Sequence, residues 1–283
     1  MMNRHLVQRL GFILLGVISL IVVLPILFVV GNIVVQGLGA INWEFLTAMP
    51  RHGMKEGGIF PAIVGTLLLV LGTAVVAIPV GIGEAIYLAE YARDTLWTRL
   101  LRLAIINLAG VPSVVYGLFG LGLFVLFLQF GTSVLAGSLT LAIMTLPVII
   151  STAEEALRAV PGEFRLVSAS LGGTRWQGIR HIVLPQALPG IITGVILGLL
   201  RAAGETAPIL FTAAAFYLPR IPRSLLEPTM ALPYHLYVIS TQVPGMPPRV
   251  QYGTALVLLT IVLSMNAVAA IIRSYFRRRR AVL

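Results

Sequence analysis

The chain has 283 residues, of which 58% are hydrophobic and 11% charged, with a net charge of +10 and a mean hydropathy of +0.97. No soluble core hides that much apolar surface, so the composition excludes a soluble globular domain and implies a multi-span membrane protein. Cysteine is absent, which excludes disulfides, thiolate metal sites and cysteine nucleophiles.

About 20 helical residues, rising ~1.5 Å each, cross a hydrocarbon core ~30 Å thick. Six apolar runs approach or exceed that length. The first extends from about Leu10 to Val35. Its basic start (Arg4, Arg9) suits a signal peptide, but the apolar stretch is too long and no A-x-A-like site follows, so it reads as a retained helix. The second run is Pro61 to Tyr87, with Glu84 near its end between Gly83 and Ala85, read as an interfacial residue reaching water. The third is Leu103 to Leu128, where Gly110, Pro112 and Gly117 allow a kink and close helix approach. Tyr87 and Trp97 read as interface anchors. The fourth, Val134 to Ile150, is near the short limit; the fifth is Pro189 to Phe216 and the sixth Gly253 to Ile272. None alternates as barrel strands do. The expected fold is an all-α integral membrane protein, one transmembrane domain over residues 1–283.

Six spans put both termini on one side. With that side inside, the inner segments hold 14 of the basic residues and the outer ones 5 (Arg51, Lys55, Arg220, Arg223, Arg249). This matches the positive-inside rule. The bias accounts for most of the net charge, so a nucleic-acid partner is unnecessary. The tail "RSYFRRRR" reads as meeting anionic lipid headgroups. The four histidines are scattered without H-E-x-x-H spacing, which leaves a metal site little support.

Between spans four and five lies a long segment, 151–188. "STAEEALRAV" continues span four as a helix, with Glu154 and Arg158 at i,i+4. Pro161 ends it near Val160. A second helix is expected from Gly162 to Leu171, with Phe164, Val167 and Leu171 on one face toward the protein. Gly172 and Gly173 suit its C-terminal end. Thr174 and Gln177 read as a capping box opening a third short helix, with Trp176, Ile179 and Val183 on one side. Pro185 and Pro189 then reset the chain for span five. Arg165, Arg175 and Arg180 would form a basic outline. Two readings fit: a segment lying on headgroups, or a docking surface for a soluble partner.

Span five carries Arg201 and Glu205 one turn apart, near its expected middle, with Thr206 beside them. An ionised side chain there costs about 2.5–3.5 kcal/mol on insertion scales. Either the two lock the helix as an internal ion pair, or Arg201 lines an anion path while Glu205 orients it and keeps binding weak enough for release. Pro208 deprives the Gly204 carbonyl of its helical partner. The stretch 217–251 holds seven of the 17 prolines and is too polar for another span. Its "TMALPYHLYVIS" reads as a short helix lying on the outer surface, with Gln36 to Phe60 contributing to the same face.

The run from Gly172 through nine residues to Ile182-x-Leu184-Pro185 resembles the "EAA-x3-G-x9-I-x-L-P" loop of bacterial ABC importer permeases. Leu166 stands where that pattern has its acid. "GIGEAIYLAEYA", "GVPSVVYGLFGLG", "LRAAGETAPIL" and "MALPYHLY" are similar to the PstA family of phosphate-import permeases. The resemblance implies six membrane helices with a cytoplasmic coupling helix between the fourth and fifth. It implies ATPase coupling through Phe164, Val167, Leu171, Gly172, Trp176, Ile182, Leu184 and Pro185, and a substrate pathway at Arg201, Glu205 and Thr206. The implied partners are a second, PstC-like permease, two ATPase subunits that bind ATP and Mg, and an external phosphate-binding protein. The chain itself would be non-catalytic, without a cofactor, in the bacterial inner membrane.

The sequence agrees on energy. Lys55 is the sole lysine and no G-K-[ST] exists, so there is no P-loop. Importing an anion into a negative-inside cell costs about 2.3 kcal/mol per charge per 100 mV, so a partner or co-transported ion must supply energy. Three rivals remain: a permease for another oxyanion (sulfate, molybdate, phosphonate), an ion-driven secondary transporter, and a membrane enzyme. The second lacks a visible repeat, and the third lacks any nucleophile, metal or paired-carboxylate cluster.

Overall fold

The computed structural model describes residues 4–170 and 172–280. The order of elements is α1 (Arg4–Gly37), α2 (Trp43–Thr47), the two-residue strands β1 (Pro50–Arg51) and β2 (Glu56–Gly57), then α3 (Phe60–Ile86), which runs on into a π-helical turn, Tyr87–Tyr91. Next come α4 (Leu96–Ala109), α5 (Ser113–Gly120) with a π-helical extension Leu121–Phe127, and α6 (Val134–Arg158). The second half holds α7 (Gly162–Ser170), α8 (Arg175–Gly178), a π-helical turn Ile179–Val183, α9 (Leu184–Gly204), α10 (Ala207–Thr212), α11 (Leu232–Thr241) and α12 (Pro248–Arg280). β1 and β2 pair antiparallel, Pro50 opposite Gly57 and Arg51 opposite Glu56.

The axis of the bundle is α6. In its most apolar stretch 67% of the residues are buried inside the protein, against 0% in α1. Small residues on both neighbours let their backbones approach it. On α9, a Cβ at Gly190 would lie 2.4 Å from Ala156, one at Gly194 1.8 Å from Thr152, and one at Gly198 2.9 Å from Ile149. These glycines are four residues apart and so share one helical face. On α3, a Cβ at Gly72 would lie 2.3 Å from Ser138 and one at Gly81 2.7 Å from Ile149. Lipid supplies no hydrophobic drive between helices, so this close packing carries association.

Among the described residues, five helical stretches are long and apolar enough to cross a membrane, or six when the α4–α5 pair counts as one span. The expected single third span, Leu103 to Leu128, is two helices bent by 103°. Gly110 caps α4 and Pro112 precedes α5, so the helical ladder stops there. The Tyr116 hydroxyl donates to the Leu108 carbonyl across the bend, at 2.8 Å. The fifth span also differs. Helix runs without a reset from Arg175 to Gly204, because the π-helical turn before Pro185 removes the need for its amide hydrogen. It stops at Gly204 rather than near Phe216, and Pro208 instead sits in the first turn of α10, where a missing N–H costs nothing.

At the end of the bundle away from α7 and α8, two segments meet. The Tyr217 hydroxyl donates to the Pro50 carbonyl at 3.1 Å, so residues 36–60 and 217–251 do share a face. The short helix expected to lie on that surface is instead packed inward. In α11, Leu232, His235, Val238 and Ile239 are buried, and the Leu232 amide donates to Thr66 Oγ1 on α3 at 2.8 Å. His235 is 2% exposed, and burial pushes its imidazole from 6.5 down to about 4. Glu84 is half-buried, and Tyr87 and Trp97 are exposed. The side chains from Tyr275 onward, which carry the basic tail, lie outside the described residues.

Gly194→Ala forces α9 off Thr152 and is expected to cost about 1–3 kcal/mol, whereas Gly83→Ala, with open space around it, leaves stability unchanged. Thermal unfolding of the two purified variants checks this. Because the His235 imidazole titrates lower in the folded chain than in the unfolded one, its stabilising contribution is complete above pH 6.5 and is lost as pH falls toward 4. The loss amounts to about 3 kcal/mol. Unfolding measured from pH 7 to 4 should show that extra slope in the parent and not in His235→Leu.

Candidate functional site

Arg201 lies in the last turn of α9, and Glu205 is the first residue beyond it, with extended backbone (φ −77°, ψ 134°). They therefore do not share a helical face in mid-helix, as the spacing predicts. They still meet: Arg201 Nε donates to Glu205 Oε1 at 3.3 Å, with the carboxylate more buried than the guanidinium. Thr206 follows at the break and opens α10 without a side-chain cap. A helix interrupted at membrane depth leaves backbone carbonyls needing partners, which is tolerated where protein or water lines them. The α9–α10 break faces the α4–α5 bend. A Cβ at Gly117 would lie 3.0 Å from the Ala207 carbonyl and 2.8 Å from Phe211. Two discontinuities thus meet beside one paired arginine.

The segment between α6 and α9 forms the expected helices but turns them the other way. Phe164 is 39% exposed, Leu166 66% and Val167 50%. The face expected to pack on the protein points outward, and Arg165, expected on the basic outline, points in. Its Nη2 donates to Glu90 Oε1 at 2.7 Å and its Nε to the same carboxylate at 3.2 Å. Nη1 and Nη2 also donate to the carbonyls of Val160 (2.6 Å) and Leu157 (2.9 Å), at the end of α6 where the helix leaves carbonyls unsatisfied. A five-donor fork that finds a carboxylate and two carbonyls at a helix end outweighs an apolar edge of three residues.

Arg175, though exposed, reaches the same place. It donates to the Glu90 carbonyl and stacks over the Tyr91 ring at 5.1 Å. Gly172 has φ +71°, the left-handed conformation expected of a helix-ending glycine. Leu171 lies outside the described residues. The Thr174–Gln177 capping box forms. Trp176 is exposed, its predicted companions Ile179 and Val183 are buried, Ile182 and Leu184 are half-buried and Pro185 is exposed. A pocket of about 310 Å³ opens between Glu90, Arg165, Ser168, Thr174, Arg175 and Ile179.

Sequence reasoning missed Glu90. It is 6% exposed and rides on the π-helical turn closed by the Ala92 amide donating to the Tyr87 carbonyl at 2.8 Å. The widened turn breaks the 3.6-residue register, so periodicity gives no hint of burial. The available signal was an acid between two tyrosines just past an apolar span. A second knot, Glu154, was half legible. It pairs with Arg158 at 2.9 Å as the i,i+4 spacing predicts, and also with Arg102 of α4 at 3.0 Å, which also donates to the Leu88 carbonyl at 3.1 Å.

Gly172→Ala places a Cβ on left-handed backbone and should destabilise the α7–α8 segment by about 1 kcal/mol. Hydrogen exchange over residues 162–178 should accelerate in that variant. It should stay unchanged in Gly162→Ala, where the new methyl meets nothing.

Comparison with known proteins gives the lineage. The chain is 31% identical to the Bacillus subtilis "Probable ABC transporter permease protein YqgI", over 95% of each chain. It is 35% identical to the Mycobacterium tuberculosis "Phosphate transport system permease protein PstA 1", over 92% of this chain and 86% of the relative. In fold it is similar to a chain of a bacterial ABC transporter involved in the import of the acidic polysaccharide alginate, with a TM-score of 0.66, 16% identity, and coverage of 95% of this chain and 99% of that one. The sequence profile of the family described as "Binding-protein-dependent transport system inner membrane component" matches residues 77–282, and the chain belongs to that family.

Proposed function

We propose that the chain is the translocating subunit of an ATP-driven importer of inorganic phosphate. The observation that carries the reading is the Arg201–Glu205 pair at the break between α9 and α10. Guanidinium matches phosphate oxygens with paired hydrogen bonds, and the flanking carboxylate competes for the same donors, so a bound anion can leave. Full-length similarity to permeases named for phosphate supports the choice of anion. Thr206 would add a hydroxyl beside the pair.

Energy enters from outside the chain. Moving a dianion inward against 100 mV costs about 4–5 kcal/mol before any gradient, and the sequence holds no P-loop. We assign the outward apolar side of α7 and α8 (Phe164, Val167, Trp176) as the contact for an ATPase subunit, with Gly172 setting the turn between the two helices. Ile182, Leu184 and Pro185 would carry the thrust into α9. Two such ATPases, holding ATP and Mg, a second permease and an external phosphate-binding protein complete the assembly; this chain hydrolyses nothing and holds no cofactor. The charge bias supports both termini and the α7–α8 segment on the cytoplasmic side of the inner membrane. The Tyr217–Pro50 face would then meet the binding protein.

Arg201→Gln is expected to cut phosphate uptake to below about a tenth of the parent's, as loss of a charged hydrogen-bonding partner does, while the complex still assembles. Uptake of radiolabelled phosphate into proteoliposomes, with sulfate and molybdate as competitors, measures both the loss and the selectivity. Normal uptake by the variant would rule the pair out as the pathway.

A further inference from the structure

The partner-facing helix α7 is poorly held by packing. Its main neighbours are α8 and the turn Ile179–Val183, not α3 or α6. Its link to the membrane bundle is Arg165, gripping Glu90 of the α3 extension and the last carbonyls of α6. The helix α8 reaches the same residue through Arg175, which holds the Glu90 carbonyl and the neighbouring Tyr91 ring. One buried acidic residue therefore collects both short helices on either side of Gly172. It sits on a π-helical turn, a geometry frequent at functional sites. The pocket of about 310 Å³ beside it leaves room for the clamp to move.

We propose that Glu90 is a positioning residue that transmits displacement of α7 and α8 to α3, so that the second span, and not only the fourth and fifth, follows the motor. The inference rests on the reading of α7–α8 as the ATPase contact. A push on the apolar outer side of α7 reaches the α3 extension most directly through the Arg165–Glu90 fork, because a bidentate ion pair resists both sliding and rotation; the Arg175 contact and the α6–α3 seam are the less direct paths. Breaking it leaves α7 tied to α6 and, through α8, to Arg175 on the Glu90 carbonyl. α3 would then follow less closely, and ATP hydrolysis would continue with less transport.

The test uses the complete complex in lipid and the absence of cysteine in this chain. Spin labels at Glu163→Cys on α7 and Val80→Cys on α3, both exposed, report whether the two helices move together when nucleotide is trapped. In the parent the label distance should stay fixed. In Glu90→Gln, which keeps the side-chain shape, the distance should shift on trapping, and phosphate moved per ATP should fall roughly tenfold with hydrolysis retained, within the range by which residues between two sites alter coupling. Arg165→Lys, which keeps the charge but loses the fork, should behave the same way, and decides the matter if Glu90→Gln does not assemble. Parent-like distances and a parent-like transport ratio in the variants would overturn the proposal. A parent complex that recruits no ATPase, or moves no phosphate, sinks the functional reading instead, and that outcome is visible before any variant is made.

Discussion

Close approach to α6 governs this molecule. In lipid, helices gain nothing from hiding apolar surface, so their association depends on how near their backbones can come. Glycines of α9 and α3 remove Cβ atoms that would stand between those helices and α6. The Thr152 and Thr145 hydroxyls satisfy themselves on carbonyls of α6 itself, at 2.6 and 3.0 Å, and across the α3 seam Thr73 and Ser138 each donate to a carbonyl of the other helix at 3.4 Å. Three helices joined this way have few ways to deform internally, and movement is displaced to their ends.

The ends are where the backbone is irregular. The α4–α5 bend and the α9–α10 break meet at Gly117, and Arg201 and Glu205 sit at that joint. At the other pole, π-helical turns follow α3 and precede α9, and the ionic knots of Glu90 and Glu154 gather there. A rigid middle with a pliable joint near one pole and an ionic clamp at the other suits a device that changes which side of a membrane it opens toward. Charge is confined to the same places. Buried ions are expensive unless fully paired, and each of these carboxylates has a guanidinium partner.

Much of this was legible in the residues. Uninterrupted apolar length located α1, α3, α6 and α12, because that signal depends only on bilayer thickness, although α1, α6 and α12 run on beyond their apolar stretches. Thr174 and Gln177 announced their capping box, and Gly172 its left-handed turn, since both follow from local backbone chemistry. What failed was anything set by partners distant in sequence. Gly110 and Pro112 predict a kink but not a 103° one, whose size is set by Tyr116 and by α10. Pro185 reads as a stop, yet a widened turn absorbs it. The apolar edge of Phe164 and Val167 reads as inward until Arg165 finds Glu90, 75 residues earlier. The Arg201–Glu205 pairing survived its change of backbone because a four-residue separation brings long side chains together across a helix end as well as along a helix.

The exposure of α1 has a consequence for how the chain is made. Its chief neighbour is α12, which leaves the ribosome well after it. At synthesis rates of about 5–20 residues per second, the interval between the two is roughly ten to forty seconds. For that time α1 stands alone in the bilayer with its backbone satisfied by its own turns and apolar side chains on every face. The helix least committed to the finished bundle is thereby the one best able to wait for it, and its berth is completed only once α12 has been made.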